Sequence, residues 1–329
     1  MEPLRPEEML AKPVWIEPAF DDPEAVLDLV RACAPLPLAA KVHRMDDEGR
    51  DVPWFRIFWA HSGNLIDERA RDLFYNERFI EAAKQSFGAK VIVPNALMTN
   101  HNGPMAGGPP HLDLPFFRGA SRFPFWLLVC MGYSGLFHRW AIPIASTLCW
   151  LYRGKGGDFE YWPDGPDAPA TRVQAPVWNV GVVSDNEYMW HRIGPVGREA
   201  EHLSAGDIRR DARLHACADG AWEIRDKSGY QRHLGPDQLR HSFLWKAYAF
   251  ADERAHAAFL DHSDDLDYAR TVEIFNRDLR SRGIEPIDTT DPVGDRDWKK
   301  LIQRHYRARR VLGVERNGRP SDEVPASTN

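Results

Sequence analysis

Strand-like runs broken by turn residues fill the middle of this chain, and helical periodicity is confined to its two ends. That distribution limits the fold to a β-core with helices packed around it. The runs are "AKVIVPNALMTNH" (Ala89 to His101), "IASTLCWLYRG" (Ile144 to Gly154), "VWNVGVVSDNEYMWHRIGPV" (Val177 to Val196) and "HSFLWKAYAF" (His241 to Phe250), with "GKGG" and "PDGPDAP" as turns. Helical spacing appears in "DDPEAVLDLVRAC" behind an acidic cap, and in "LIDERARDLFYNERFIEAAKQSFG", read as two helices ending at Gly88. It returns after Ala251 in "DERAHAAFLDH", "LDYARTVEIFNRDLRSRG" and "DWKKLIQRHYRARR". The chain therefore divides into a helical flank over 1–90, a β-core over 91–250 with a helical insert at about 123–140, C-terminal helices over 251–312, and a tail over 313–329 that is expected to be disordered.

Composition narrows the class. A net charge of −6 and 43% hydrophobic residues fit a globular protein with a full core and do not suggest a polyanion binder. Four scattered cysteines (Cys33, Cys130, Cys149, Cys217) form no C-x-x-C pair, which argues against a zinc ribbon or disulfide framework and fits a reducing cytosol. The opening "MEPLRPEEMLAKPVW" is acidic and proline-broken, unlike a signal peptide, so a cytoplasmic location is expected. The apolar stretch from Phe123 to Tyr152 is interrupted by Gly132, Gly135, His138, Arg139 and Pro143, so it reads as a buried helix and core strand instead of a membrane span.

The chemistry-bearing motif is "GGPPHLDLPFFRG". In an extended chain residues two apart point the same way, so His111 and Asp113 converge on one point. A third metal ligand is supplied by His191 in "MWHRIGPVG", about 80 residues downstream near the end of a strand-like run. Two imidazoles and one carboxylate on one face leave up to three coordination positions open, the arrangement suited to non-haem Fe(II). "DHSDD" offers a control with the same spacing at His262 and Asp264. It has no strand context, and reads as a solvated histidine and a helix cap.

With these residues in hand, the chain resembles the iron(II)/2-oxoglutarate-dependent oxygenases, prolyl-hydroxylase-like members in particular. "HLD" is similar to the family's H-x-D, "GGDFEYWP" (Gly156 to Pro163) to its mid-barrel G-G segment, and "HRIGPV" to the surround of its distal histidine. The resemblance runs from about Val91 to Phe250 and implies a double-stranded β-helix (jelly-roll, cupin-like) core. It implies Fe(II) on His111, Asp113 and His191, with 2-oxoglutarate and O2 as co-substrates and hydroxylation with release of succinate and CO2. The presence of Asp113 argues against halogenation, because related halogenases lack that carboxylate.

The family also places a basic residue on the distal carboxylate of 2-oxoglutarate, about ten residues past the distal histidine. This sequence departs from that spacing, with Glu at position 201. Arg240, opening the strand run "RHSFLWKAYAF", is the expected anchor and Arg198 the second candidate. A small-molecule substrate is expected, with no membrane and no nucleic-acid partner; the basic run Lys299 to Arg310 reads as a solvated helix face. Oligomeric state and substrate identity have no signature. Two alternatives stand beside this reading: a cupin-like metal-dependent dioxygenase or isomerase that does not use 2-oxoglutarate, and a metal-free binding module.

Overall fold

A computed structural model describes residues 11–39, 52–165, 167–203 and 206–306. The expected tail at 313–329 and the last residues of the basic run lie outside the described residues.

The chain begins with β1 (Val14–Ile16), α1 (Pro23–Ala32), β2 (Leu36–Pro37), β3 (Trp54–His61) and β4 (Asn64–Leu65), then α2 (Arg71–Phe74), α3 (Glu77–Phe87) and β5 (Val91–Asn102). The middle holds α4 (Phe125–Ser134), β6 (Ile144–Tyr152), β7 (Phe159–Trp162), β8 (Thr171–Val173), β9 (Val177–Ser184) and β10 (Trp190–Ile193). It closes with β11 (Arg213–Ala216), β12 (Trp222–Arg225), β13 (Gln231–Leu234), β14 (Arg240–Phe250), α5 (Glu253–Leu260), α6 (Tyr268–Ser281) and α7 (Arg296–His305).

Local chemistry accounts for the helix ends. Asp22 caps α1 by accepting from Ala25 N–H, Asn76 caps α3 by accepting from Phe79 N–H, and Gly88 ends α3 at φ 60°, where a side chain would be strained. The apolar stretch after Phe123 is a buried ten-residue helix, α4, followed by the core strand β6. Among the described residues no helix is long and apolar enough to cross a membrane.

The seven-stranded main sheet has the order β1-β9-β6-β14-β5-β3-β4. Facing it is a smaller sheet of order β10-β7-β8, whose free side is lined by the extended segment running from Met105 to His111. That segment pairs with β10 and its continuation at Met105↔Val196 and His111↔His191. Following the chain, β5 lies in the main sheet, the 105–111 segment in the small one, β6 in the main, β7 and β8 in the small, β9 in the main, β10 in the small and β14 in the main. Four strands of the main sheet alternating along one chain with four segments of the small one are the double-stranded β-helix, with its core between the sheets. Trp150, Tyr152, Phe159, Val182, Met189 and Val196 fill that space.

The outer face of the main sheet is covered by α3 and joins a core cluster with Phe20 and with Val26 and Val30 of α1. Phe243 meets Phe20 at 5.3 Å and Trp59 at 6.0 Å between ring centroids, and Trp245 meets Phe79 at 5.9 Å. A second cluster joins α4, α6 and α7 through Leu127, Met131, Phe137, Phe275, Trp298 and Ile302.

Three features depart from expectation. The first ninety residues are not only helical, since β1, β3 and β4 extend the main sheet at both edges. The polar interval from Arg198 to Leu239 is not only loop, because β11, β12 and β13 form a further antiparallel sheet with β2. Asp264 is not a helix cap. It collects Arg118, Arg139 and Arg270 at 3.4, 3.0 and 3.2 Å, and Asp267 caps α6 instead.

Where that further sheet meets the main one, His101 and His241 face each other with Nδ1···Nδ1 at 2.8 Å beside Trp222. Burial lowers the pKa of both, with Arg31 adding to the effect on His241, which is brought from 6.5 to about 3. The folded form thus refuses protons that the unfolded chain accepts at about 6.5. The stability from burying this neutral pair is complete above 6.5 and is lost as the pH falls from there toward 3. Urea unfolding across this range is expected to show a steeper loss for the wild type than for a His101→Gln/His241→Gln double variant.

Candidate metal centre

After β5 the chain crosses to the small sheet, and Gly107 permits the crossing. Its φ is +86°, and a Cβ there would lie 2.8 Å from the carbonyl carbon of Gly194. The 105–111 segment then runs beside β10. His111 N–H donates to His191 O at 3.0 Å and His191 N–H donates back to His111 O at 3.1 Å. Asp113 N–H donates to Asn186 O at 2.8 Å, which holds the carboxylate on the same side as the imidazoles.

His111, Asp113 and His191 are brought together as anticipated. Their candidate ligand atoms all lie within 4.8 Å of one another, with His191 Nε2 3.7 Å from Asp113 Oδ1. In each histidine Nδ1 faces a backbone carbonyl, Pro109 O at 3.1 Å for His111 and Met189 O at 3.0 Å for His191. A carbonyl only accepts, so Nδ1 carries the proton and the Nε2 lone pair is left for a metal. Burial, then His111, lowers the His191 pKa to about 4, so this ring is neutral at physiological pH. Two oriented imidazoles and a carboxylate fit a divalent metal with open positions.

Two charged groups beside the carboxylate were missed by sequence reading. The Lys246 ammonium on β14 donates to Asp113 Oδ2 and to Glu187 Oε1, each at 2.7 Å. Burial alone would lower the Lys246 pKa, but the two carboxylates outweigh it and hold it above its ordinary value. Burial likewise pushes Asp113 upward, yet Lys246 and the two histidines keep it well below the usual carboxylate range. Glu187, buried more deeply, is raised to about 7 by burial, with Lys246 offsetting part of the effect. A signal for Lys246 was present, because it is the one cation in "HSFLWKAYAF" and shares strand parity with Arg240. Glu187 sits in an irregular turn, where no periodicity shows the direction of a side chain.

Strand parity also gives the inner surface of the main sheet. Lys246 reaches Asp113 across the interior, so Leu244, Ser242 and Arg240 share its face, while Phe243 and Trp245 lie under the covering helices. Arg240 is buried, donates through Nε to Gly157 O at 2.7 Å, and lies 5.8 Å from the Trp150 ring centroid. The neutral Tyr152 phenol and the Asp158 carboxylate are its ionisable neighbours, and among the described residues no carboxylate pairs with it. Burial lowers its pKa to about 10, which leaves it cationic at neutral pH. Trp150, opposite Ser242 on β6, has a buried indole N–H with no hydrogen-bond partner among the described residues. Arg198, by contrast, is a 75% exposed side chain 3.6 Å from Glu201. Arg56 on β3 also faces inward, donating through Nε to Asn100 Oδ1 at 2.6 Å.

The other aromatics near the motifs divide as well. Phe117, Trp162 and Trp190 are buried and Phe116 is exposed, while Arg118 serves Asp264.

Sheets and site together make this chain a double-stranded β-helix protein with a set of two histidines and one carboxylate for a metal. A comparison with protein-family models finds no match, and neither does one with curated protein sequences. Among solved structures, a 2OG-Fe(II) oxygenase-family oxidoreductase from Burkholderia pseudomallei is 16% identical over 72% of this chain and 84% of its own, at TM-score 0.40. A prolyl-4-hydroxylase from Pseudomonas putida is 16% identical over 73% and 93%, at 0.35. HygX from Streptomyces hygroscopicus, solved with nickel, 2-oxoglutarate and hygromycin B, is 8% identical over 73% and 84%, at 0.37. At TM-scores this low the likeness is loose, and the chemistry has to be read from this chain's own residues.

Removing either imidazole should cost metal affinity beyond the roughly 100-fold that loss of an outer partner costs. Titration of His111→Ala and His191→Ala with Fe(II) under nitrogen is expected to show no binding, with the circular dichroism of the metal-free protein unchanged.

Proposed function

We propose that this protein is an Fe(II)/2-oxoglutarate-dependent oxygenase that hydroxylates a small-molecule substrate. The observation that carries the reading is the metal-ligand set of His111, Asp113 and His191 facing the same interior as Arg240, a buried arginine that has no carboxylate partner among the described residues.

In this reading His111 and His191 would hold the metal through Nε2 and Asp113 through Oδ1. Bound Fe(II) supplies the O2 chemistry that oxidises a C–H bond, with 2-oxoglutarate leaving as succinate and CO2. Arg240 receives the distal carboxylate of 2-oxoglutarate, where its paired N–H donors suit a carboxylate and its burial strengthens the contact. The indole N–H of Trp150 and the hydroxyl of Ser242 add donors beside it. Leu244, Leu148 and Val182 form the apolar wall between Arg240 and the metal end and keep water from the reacting atoms. Retention of Asp113 as a ligand favours hydroxylation over chemistry that needs its position for a halide.

Anaerobic addition of Fe(II) and then 2-oxoglutarate to the metal-free protein tests the class directly. A weak visible charge-transfer band that grows with 2-oxoglutarate is the expected result. Iron binding with no band favours the cupin-like alternative, and no iron binding leaves only a binding module. The anchor is tested separately. Arg240→Ala removes charged hydrogen bonds of about 1.5–3 kcal/mol and should raise the 2-oxoglutarate concentration needed for half-saturation by roughly 10- to 100-fold. Arg198→Ala should leave it unchanged, and the reverse pattern would move the anchor to Arg198.

A further inference from the structure

We infer that Lys246 is a positioning residue that restricts Asp113 to one-oxygen ligation and so keeps the third coordination position of the metal open. This rests on the function proposed above, because that reaction needs three positions: two for the chelating 2-oxo acid and one for O2.

A carboxylate can bind a metal through one oxygen or two. If Asp113 used both, the protein would fill four of six octahedral positions, and a bidentate 2-oxo acid would leave none for O2. The geometry separates the two oxygens. Oδ1 faces the histidines, 3.7 Å from His191 Nε2, and Oδ2 is held by the Lys246 ammonium at 2.7 Å. For Oδ2 to turn toward the metal, it would have to leave a cation inside the barrel.

The ammonium cannot follow easily, because it is fixed from both ends. Its backbone is in the middle of β14, paired on one side with Ala96 of β5 and on the other with Ser146 of β6. Its head is held by Glu187 Oε1 at 2.7 Å, on a side chain 3% exposed. Glu187 belongs to the turn between β9 and β10, buried throughout from Ser184 to His191. The same turn accepts from Asp113 N–H through Asn186 O and from the His191 ring through Met189 O. One buried turn therefore sets the backbone of one ligand, the ring plane of another, and the cation that occupies the spare oxygen.

Nitric oxide, an O2 stand-in whose ferrous complex is visible by electron paramagnetic resonance, counts the open positions without turnover. Wild-type protein loaded with Fe(II) should bind nitric oxide both with and without saturating 2-oxoglutarate. Lys246→Met should bind it as well as wild type without 2-oxoglutarate, and at least tenfold more weakly with it. Lys246→Arg, which keeps a cation on Oδ2, should recover most of the difference. Because Lys246→Met leaves two buried carboxylates without their cation, Lys246→Met/Glu187→Gln is measured beside it, with circular dichroism and thermal unfolding on both. Equal nitric oxide affinity in wild type and a folded Lys246→Met protein overturns the inference and leaves the proposed function standing. Failure of both variants to fold overturns it too, in favour of a purely structural lysine. Wild type that binds no Fe(II) or no 2-oxoglutarate overturns the proposed function, and this inference with it.

Discussion

The site depends on the pair of backbone hydrogen bonds exchanged by His111 and His191. Each contributes only about 1 kcal/mol net, so their importance is one of register more than strength. Successive side chains of a strand point to opposite faces, and a slip of one residue would turn His191 out of the barrel and Trp190 into it. Trp190 is held on the outer side by Trp162, its partner across the β7–β10 pairing, with Leu112 and Tyr133 against them. The apolar surface behind the small sheet thus fixes the register that brings the two imidazoles together.

Charge is the second constraint. Asp113, Glu187 and Lys246 place three ionisable groups in the interior, with one negative charge in excess if all are ionised. Such a cluster is costly to bury and gains little for stability compared with apolar packing. Its value lies in what it does to the carboxylate, keeping it ionised and aimed. A divalent metal on Asp113 and the two histidines would more than offset that excess.

The interior of the main sheet carries a cation at each end and an apolar stretch around Leu244 between them. Lys246 stands at the metal end and Arg240 at the other, six residues apart on the same face of β14, with Leu244 and Ser242 between. The two cations meet different surroundings. Lys246 is committed to two carboxylates, whereas Arg240 has a backbone carbonyl and a tryptophan face. Gly157 makes room for that arginine, since a Cβ there would lie 2.6 Å from its Cδ.

Local sequence was enough for the features that follow from short-range chemistry. The long strands β5, β6, β9 and β14, the helices α1 and α3, the buried helix α4 and the convergence of His111 with Asp113 can all be read from side-chain period, caps and turn residues. His191 could be found because its neighbours form a recognisable run. The short strands were hidden. β3 carries Trp and Phe on both faces, and β11 to β13 are four residues each, too short for a period to show. Glu187 was hidden for another reason, and Lys246 showed only as a lone cation of the right strand parity. What makes them part of the site is contact between segments 59 and 133 residues apart, and no local pattern encodes that. The sequence by itself determined which residues can ligate a metal, because ligand chemistry belongs to the side chain. Only the tertiary structure decided which oxygen of Asp113 is available and which buried arginine has no carboxylate partner among the described residues, because both depend on the charges that distant strands bring within hydrogen-bonding distance.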